Sequence, residues 1–245
     1  MVNRNKIKAV IFDLDGTLVD SEPNYFASDR KLLAEYDIDF DEIMRNKYVG
    51  VGSREMIGDI IKYHPISETI ENLMIKKNKY YTDIAKANTV VFPEMIRLLD
   101  ILKKNNYPTA LASGSSPEVI ELVLSVTNLR HYFDVVLSAE HVAKGKPAPD
   151  IFLEAAKRLG IPAENCLVLE DAQPGVEAAK RACMRCVAIP YLIAEPLHDS
   201  FSKADMLFRK GMAEFAAETV FEWLTKYGEF SQEIQIDNTW THRVK

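Results

Sequence analysis

Six side chains of this sequence are of the types that handle charge at a reacting centre, and they fall in four short stretches. Asp13 and Asp15 stand two positions apart after an apolar run, Ser113 is followed by Gly114, Lys146 directly precedes Pro147 in Lys-Gly-Lys-Pro-Ala-Pro, and Glu170 precedes Asp171. Carboxylates gathered at one crevice repel each other unless they share a cation. Hard oxygen ligands with an incomplete protein shell suit Mg²⁺, which keeps waters and a substrate phosphate as its other ligands. A lysine and a hydroxyl at the same edge would neutralise and orient phosphoryl oxygens, which is most of what phosphoryl transfer asks of a protein. No spacing suggests a Ser-His-Asp or Cys-His pairing. The nucleophile must come from elsewhere, and a carboxylate can serve through an aspartyl-phosphate intermediate.

The elements around these residues explain how they could meet. Residues 6–12, rich in β-branched and aromatic side chains, read as a buried parallel strand that ends at Asp13. Later strands are expected over 109–112, 135–137, 166–169 and 186–189, alternating with helices over 94–104, 117–126, 150–159, 176–183 and 215–226. That alternation implies right-handed crossovers and an α/β fold: an open, doubly wound parallel sheet with helices on both faces. In such sheets ligands collect outside the carboxyl ends of the strands. Asp13 and Asp15 follow the first strand, Ser113 and Gly114 the second, Lys146 lies in the loop after the third, and Glu170 and Asp171 follow the fourth. Between residues 21 and 87 the apolar spacing is helical, as in Met56-Ile57-Ile60-Ile61, so a helical block interrupts the sheet right after its first strand and reads as an inserted cap.

The stretches Asp13-Leu-Asp-Gly-Thr, Leu-Ala-Ser113-Gly-Ser, Lys144-Gly-Lys-Pro-Ala-Pro-Asp and Leu-Val-Leu-Glu170-Asp resemble, in order, the four motifs of the haloacid dehalogenase superfamily. The helical insertion resembles the cap of its β-phosphoglucomutase and sugar-phosphate phosphatase branch. The resemblance implies that Asp13 attacks phosphorus, and that Asp15 protonates the leaving oxygen and then activates water. It implies a magnesium ion held by Asp13, the backbone carbonyl of Asp15 and Asp171, with Glu170 supporting it directly or through water, and phosphoryl oxygens bound by Ser113, Gly114 and Lys146. In the cap, Val51-Gly-Ser-Arg54-Glu resembles a substrate loop whose arginine holds a distal phosphate, and Lys77 stands where a second cap lysine would. The mutases carry a histidine where this chain has Tyr25. Its absence favours hydrolysis of a small phosphorylated metabolite over transfer within a hexose phosphate, which is the alternative. A third reading, a partner-binding protein on the same fold, would fit a degenerate motif, and none is degenerate.

Other features have plainer explanations. Cys183-Met-Arg-Cys186 has a Cys-x-x-Cys spacing, but zinc needs more ligands, and Cys183 stands at a helix end where relatives usually have glycine, so packing is the expectation. Gly50-Val-Gly52 is a cap turn, because no strand leads into it and the third glycine of a dinucleotide fingerprint is missing. The five histidines fall outside the motifs.

Composition bounds the remaining classes. The chain has 245 residues, a formal net charge of −6 and no long apolar run, which disfavours nucleic acid and membrane partners. Three cysteines argue against a disulfide framework and for a reducing, cytoplasmic setting. The expected organisation is a catalytic core over 1–17 and 90–230, a helical cap over 18–89 and a polar tail over 231–245. The partner is a small phosphorylated molecule, and oligomeric state stays open with a monomer the simpler expectation.

Overall fold

The N-terminal apolar run forms strand β1 (Ala9–Phe12), buried on both faces, as a central strand of a parallel sheet must be. In the computed structural model, which describes residues 6–48, 52–193 and 195–226, seven more strands follow. They are β2 (Val19–Asp20), β3 (Val90–Val91), β4 (Thr109–Ser113), β5 (Val135–Ser138), β6 (Cys166–Glu170), β7 (Arg185–Ala188) and β8 (Met206–Leu207). Six of them form one parallel sheet in the order β5-β4-β1-β6-β7-β8. The α/β, doubly wound architecture expected from the alternation is therefore present, with β1 between β4 and β6 at the switch point where strand order reverses.

Alternate residues of the strands face opposite layers. Val10, Phe12, Leu111, Leu167, Leu169 and Val187 pack with the helices α5 (Pro93–Lys104), α6 (Pro117–Thr127) and α9 (Ala217–Lys226). Ala9, Ile11, Ala110, Ala112, Val168 and Cys186 face α7 (Asp150–Leu159) and α8 (Gln173–Arg181). The observed α8 begins earlier than the hydrophobic spacing implies, since Pro174 in its first turn has the backbone angle a helix start needs. Strands β2, β3 and β8 were not legible, because two residues are too few to display a period of two.

The helical block resolves into α1 (Glu22–Ala34), α2 (Glu42–Lys47), α3 (Ser53–Tyr63) and α4 (Ile70–Asn88). Asp41 caps α2 by accepting from the Met44 N–H at 2.7 Å, and Thr69 caps α4 by accepting from the Asn72 N–H at 3.2 Å. These helices bury a core of their own, built from Leu32, Leu33, Phe40, Met56, Ile57, Ile60 and Leu73. The block is bracketed by β2 and β3, which pair antiparallel through Val19 with Val91 and Asp20 with Val90. Chain entry and exit are thereby clamped side by side.

Cys166 and Cys186 are buried and Cys183 is exposed, none in a disulfide. No helix among the described residues is long and apolar enough to cross a membrane. The tail expected over 231–245, the ends of the expected core at 1–5 and 227–230, and the Gly50 turn lie outside the described residues.

Candidate active site

Asp13 is the first residue beyond β1, and its N–H donates to the Leu169 carbonyl at 3.1 Å, so the sheet ladder continues one residue past the strand. The chain then turns back on itself. The Gly16 N–H donates to Val19 O at 2.9 Å, and Gly16 takes φ +76°, a conformation that any side chain would strain. A Cβ at Gly16 would also stand 2.4 Å from Asp171 Oδ2, so the glycine lets the Asp171 carboxylate approach the backbone of the turn. Thr17, buried, donates to Asp171 Oδ1 at 3.3 Å.

Lys146 reaches into this crevice from the loop before α7. Its ammonium lies 2.5 Å from Asp13 Oδ1 and 2.6 Å from Glu170 Oε1, and it donates to the Ala112 carbonyl at 3.2 Å. Glu170, the last residue of β6, is almost wholly buried, and its other oxygen accepts from the N–H groups of Asp171 and Ala172, both at 3.1 Å. Gly175 leaves room for it: a Cβ there would sit 1.8 Å from the Glu170 carboxyl. Both Glu170 oxygens thus have protein donors, and its direct contact is with Lys146. Ser113 ends β4; its hydroxyl accepts from the Ser115 N–H at 3.0 Å and lies 3.4 Å from Asp15 Oδ2. Ser115 Oγ donates to that same Asp15 oxygen at 2.7 Å. Gly114, Ser115 and Ser116 line the cavity ahead of the first turn of α6, where helix N–H groups favour an anion.

Electrostatics follow from this crowding. Burial, with repulsion from Glu170 and Asp15, pushes the Asp13 carboxyl up to about 8 despite Lys146. Burial and the charges of Glu170 and Asp13 push Asp171 well above the usual carboxylate range. Burial works against the Lys146 charge, but Asp13 and Glu170 outweigh it and hold the proton on more tightly. One lysine faces more carboxylates than it can neutralise. Asp15 Oδ1, buried, has no hydrogen-bond partner among the described residues. This surplus of hard oxygen donors fits a divalent cation. No three carboxylate, histidine or cysteine side chains among the described residues close on one point, so a cation here would complete its shell with backbone carbonyl, water and substrate oxygens.

Above these residues opens a cavity of about 670 Å³ whose far wall belongs to the helical block. Tyr25 of α1 shares a 3.0 Å hydrogen bond with Ser115 and stacks on Tyr81 of α4 at 4.3 Å. Burial and nearby Asp15 push the Tyr25 hydroxyl well above its ordinary value, so it stays protonated. Arg54 lines the cavity but is exposed and paired with Glu71 at 2.8 Å. Lys77 lines it too, yet is 3% exposed, 2.5 Å from Asp29 and 2.7 Å from Ser53 Oγ. The structure therefore brings Asp13, Asp15, Ser113, Gly114, Lys146, Glu170 and Asp171 to one edge, while Lys77 stands on the cavity wall already engaged by its neighbours. Sequence reasoning missed Ser115, Asp29, Arg45 and Tyr81. No local spacing marks them, although Ser115 lies two residues beyond a recognised motif position.

The family model of the haloacid dehalogenase-like hydrolases matches residues 7–182, a stretch that holds every one of these core positions. The chain belongs to the haloacid dehalogenase-like hydrolase family. This hydrolase is 33% identical over 185 residues to the fructose-1-phosphate phosphatase YqaB of Escherichia coli (strain K12), covering 75% of this chain and 96% of that relative. It is 32% identical over 192 residues to the beta-phosphoglucomutase of Bacillus subtilis (strain 168), covering 75% and 83%. Its fold matches the crystal structure of CbbY from Rhodobacter sphaeroides in complex with phosphate with a TM-score of 0.75 at 26% identity, over 85% of this chain and 96% of that one.

Proposed function

We propose that this hydrolase is a phosphatase of a small phosphorylated metabolite, a sugar phosphate or similar phosphomonoester. The observation that carries the reading is the convergence of Asp13, Asp15 and Lys146 at the floor of a cavity roofed by the helical block, in a chain similar to the fructose-1-phosphate phosphatase. Asp13 attacks phosphorus and the bond to the ester oxygen breaks, that oxygen taking a proton from Asp15. Asp15, now ionised, removes a proton from water as it attacks the aspartyl-phosphate, which releases inorganic phosphate and frees Asp13. Lys146 and the Ser113–Gly114 turn hold the phosphoryl oxygens, with Ser115 orienting Asp15. A magnesium ion, held by Asp13, Asp171 and the Asp15 carbonyl, would offset the negative charge of nucleophile and phosphoryl group. The helical block acts as a cap that excludes bulk water and chooses the substrate.

Likeness to the beta-phosphoglucomutase supports a second reading, transfer within a hexose phosphate. Tyr25, a neutral phenol on Ser115, weighs against it, since it offers neither the base nor the cation of an imidazole. The experiment is phosphate release from hexose, pentose, polyol and nucleotide monophosphates, with and without magnesium, beside Asp13→Asn. Metal-dependent release that falls by about 10³ or more in the variant is expected. Full turnover by the variant would sink the mechanism, and isomerised sugar phosphate without phosphate release would establish the mutase.

A further inference from the structure

The cavity has two ends with different charge. At the core end the carboxylates outnumber Lys146, whereas at the cap end every cation has a carboxylate against it. Arg54 pairs with Glu71 at 2.8 Å on the exposed rim, and Arg45 lies 3.8 Å from Glu22. Lys77 is the buried one. Its pairing with Asp29 is hidden from water on both sides, the side chains being 3% and 9% exposed. An ammonium has three N–H donors. That of Lys77 lies 2.5 Å from Asp29 Oδ1, donates to Ser53 Oγ at 2.7 Å and sits 5.6 Å from the ring centre of Tyr25. Fixed neighbours thus surround the ammonium on the wall, and Asp29 supplies its counter-charge.

Exposed pairs such as Arg54–Glu71 are weak and screened, so they set little. A charge counts most where water is excluded, and there the cap's cation is already neutralised by a fixed neighbour. A second phosphate on the substrate would have to be stripped of water against a buried lysine whose charge Asp29 already offsets. Hydroxyl groups meet no such penalty, because Asn78, Ser53 and Arg45 line the same wall and can exchange hydrogen bonds with them.

We propose that Asp29 determines specificity: by neutralising Lys77 it makes the buried cap wall uncharged, so the substrate carries a single phosphoryl group on an uncharged, hydroxylated body and a second anionic group is excluded. This rests on the phosphatase reading and narrows its substrate class. Lys77, which stands where the resembling family has a second cap lysine, becomes part of the wall instead.

The test reads equilibrium binding, so that it does not depend on turnover. In an Asp13→Asn background with magnesium, the affinities for glucose 6-phosphate and glucose 1,6-bisphosphate are compared by calorimetry. The monophosphate is expected to bind more tightly. Adding Asp29→Asn frees Lys77 and shifts the ratio of affinities about tenfold towards the bisphosphate, the order of one charge-assisted hydrogen bond. Adding Lys77→Met leaves Asp29 unpaired and shifts the ratio the other way. Adding both restores the parent ratio, which a merely structural role for either residue would not do. Should Asp29→Asn fail to fold, the Lys77→Met and double variants carry the same comparison. Equal or tighter binding of the bisphosphate by the parent, a ratio unmoved across the variants, or no binding of either sugar phosphate overturns the proposal. Failure of the phosphate-release panel alone overturns the phosphatase reading and leaves the charge selectivity to be read from binding.

Discussion

Asp13, the proposed nucleophile, stands in surroundings that oppose its charge. Its carboxyl is lifted from an ordinary 3.8 to about 8 by burial and by Glu170 and Asp15, against the pull of Lys146. A carboxyl whose pKa is higher folded than unfolded contributes stability that is fully present below about pH 4 and is lost as pH rises through about 8. The metal-free protein should therefore lose stability over that window, and the Asp13→Asn variant should not share this part of the loss. At pH 8 in a chelator, denaturant unfolding should find the variant more stable than the wild type by about 1–2 kcal/mol, the usual order of a stability–function trade. The gap should close at pH 4. A variant less stable than the wild type at pH 8 would mean that the Lys146 pairing outweighs the crowding.

At the scale of elements, helices α6 and α8 present their first turns to the crevice and must end cleanly behind it. Helix α8 begins beside Glu170, with Gly175 making room for that carboxyl, and closes through Cys183, whose N–H donates to Lys180 O at 3.1 Å with φ +59°. Left-handed backbone costs a residue with a Cβ about 1–2 kcal/mol, part of which glycine returns as freedom of the unfolded chain. Cys183 is exposed, so no packing is lost on its removal. Cys183→Gly should stabilise the protein by about 0.5–1 kcal/mol, a rise in Tm of roughly 1–4 °C by calorimetry, with catalysis unchanged. A fall in Tm would show that the thiol makes a contact worth more than the strain.

The molecule as a whole sets a sheet edge rich in carboxylates under a wall of helices with balanced charge, the two joined by the short β2–β3 ribbon. A ligand that binds only the folded protein adds stability by mass action. Magnesium at about 100 times its dissociation constant should add about 2.7 kcal/mol, raising Tm by roughly 5–10 °C over the protein in chelator. Asp171→Asn, which removes a carboxylate from the cluster, should abolish most of that shift. An unchanged Tm on adding magnesium would count against the metal.

The sequence by itself determined the α/β sheet, the helical insertion after its first strand and the strand ends at which the candidate site lies. The reason is local. A buried parallel strand has to be an unbroken apolar run, so its carboxyl end is visible wherever the run stops, and Asp13, Ser113 and Glu170 stand at those stops. The opposite wall was not legible in that way. Asp29, Ser53 and Lys77 come from α1, α3 and α4, whose helical spacing says which residues share a face but not which face meets which. Only the packing of those helices decided that Lys77, on the cavity wall, stands 2.5 Å from Asp29, and that Tyr25 reaches across to Ser115. A charge partner is a matter of distance in space, and a single sequence carries distance only along a strand or around a helix.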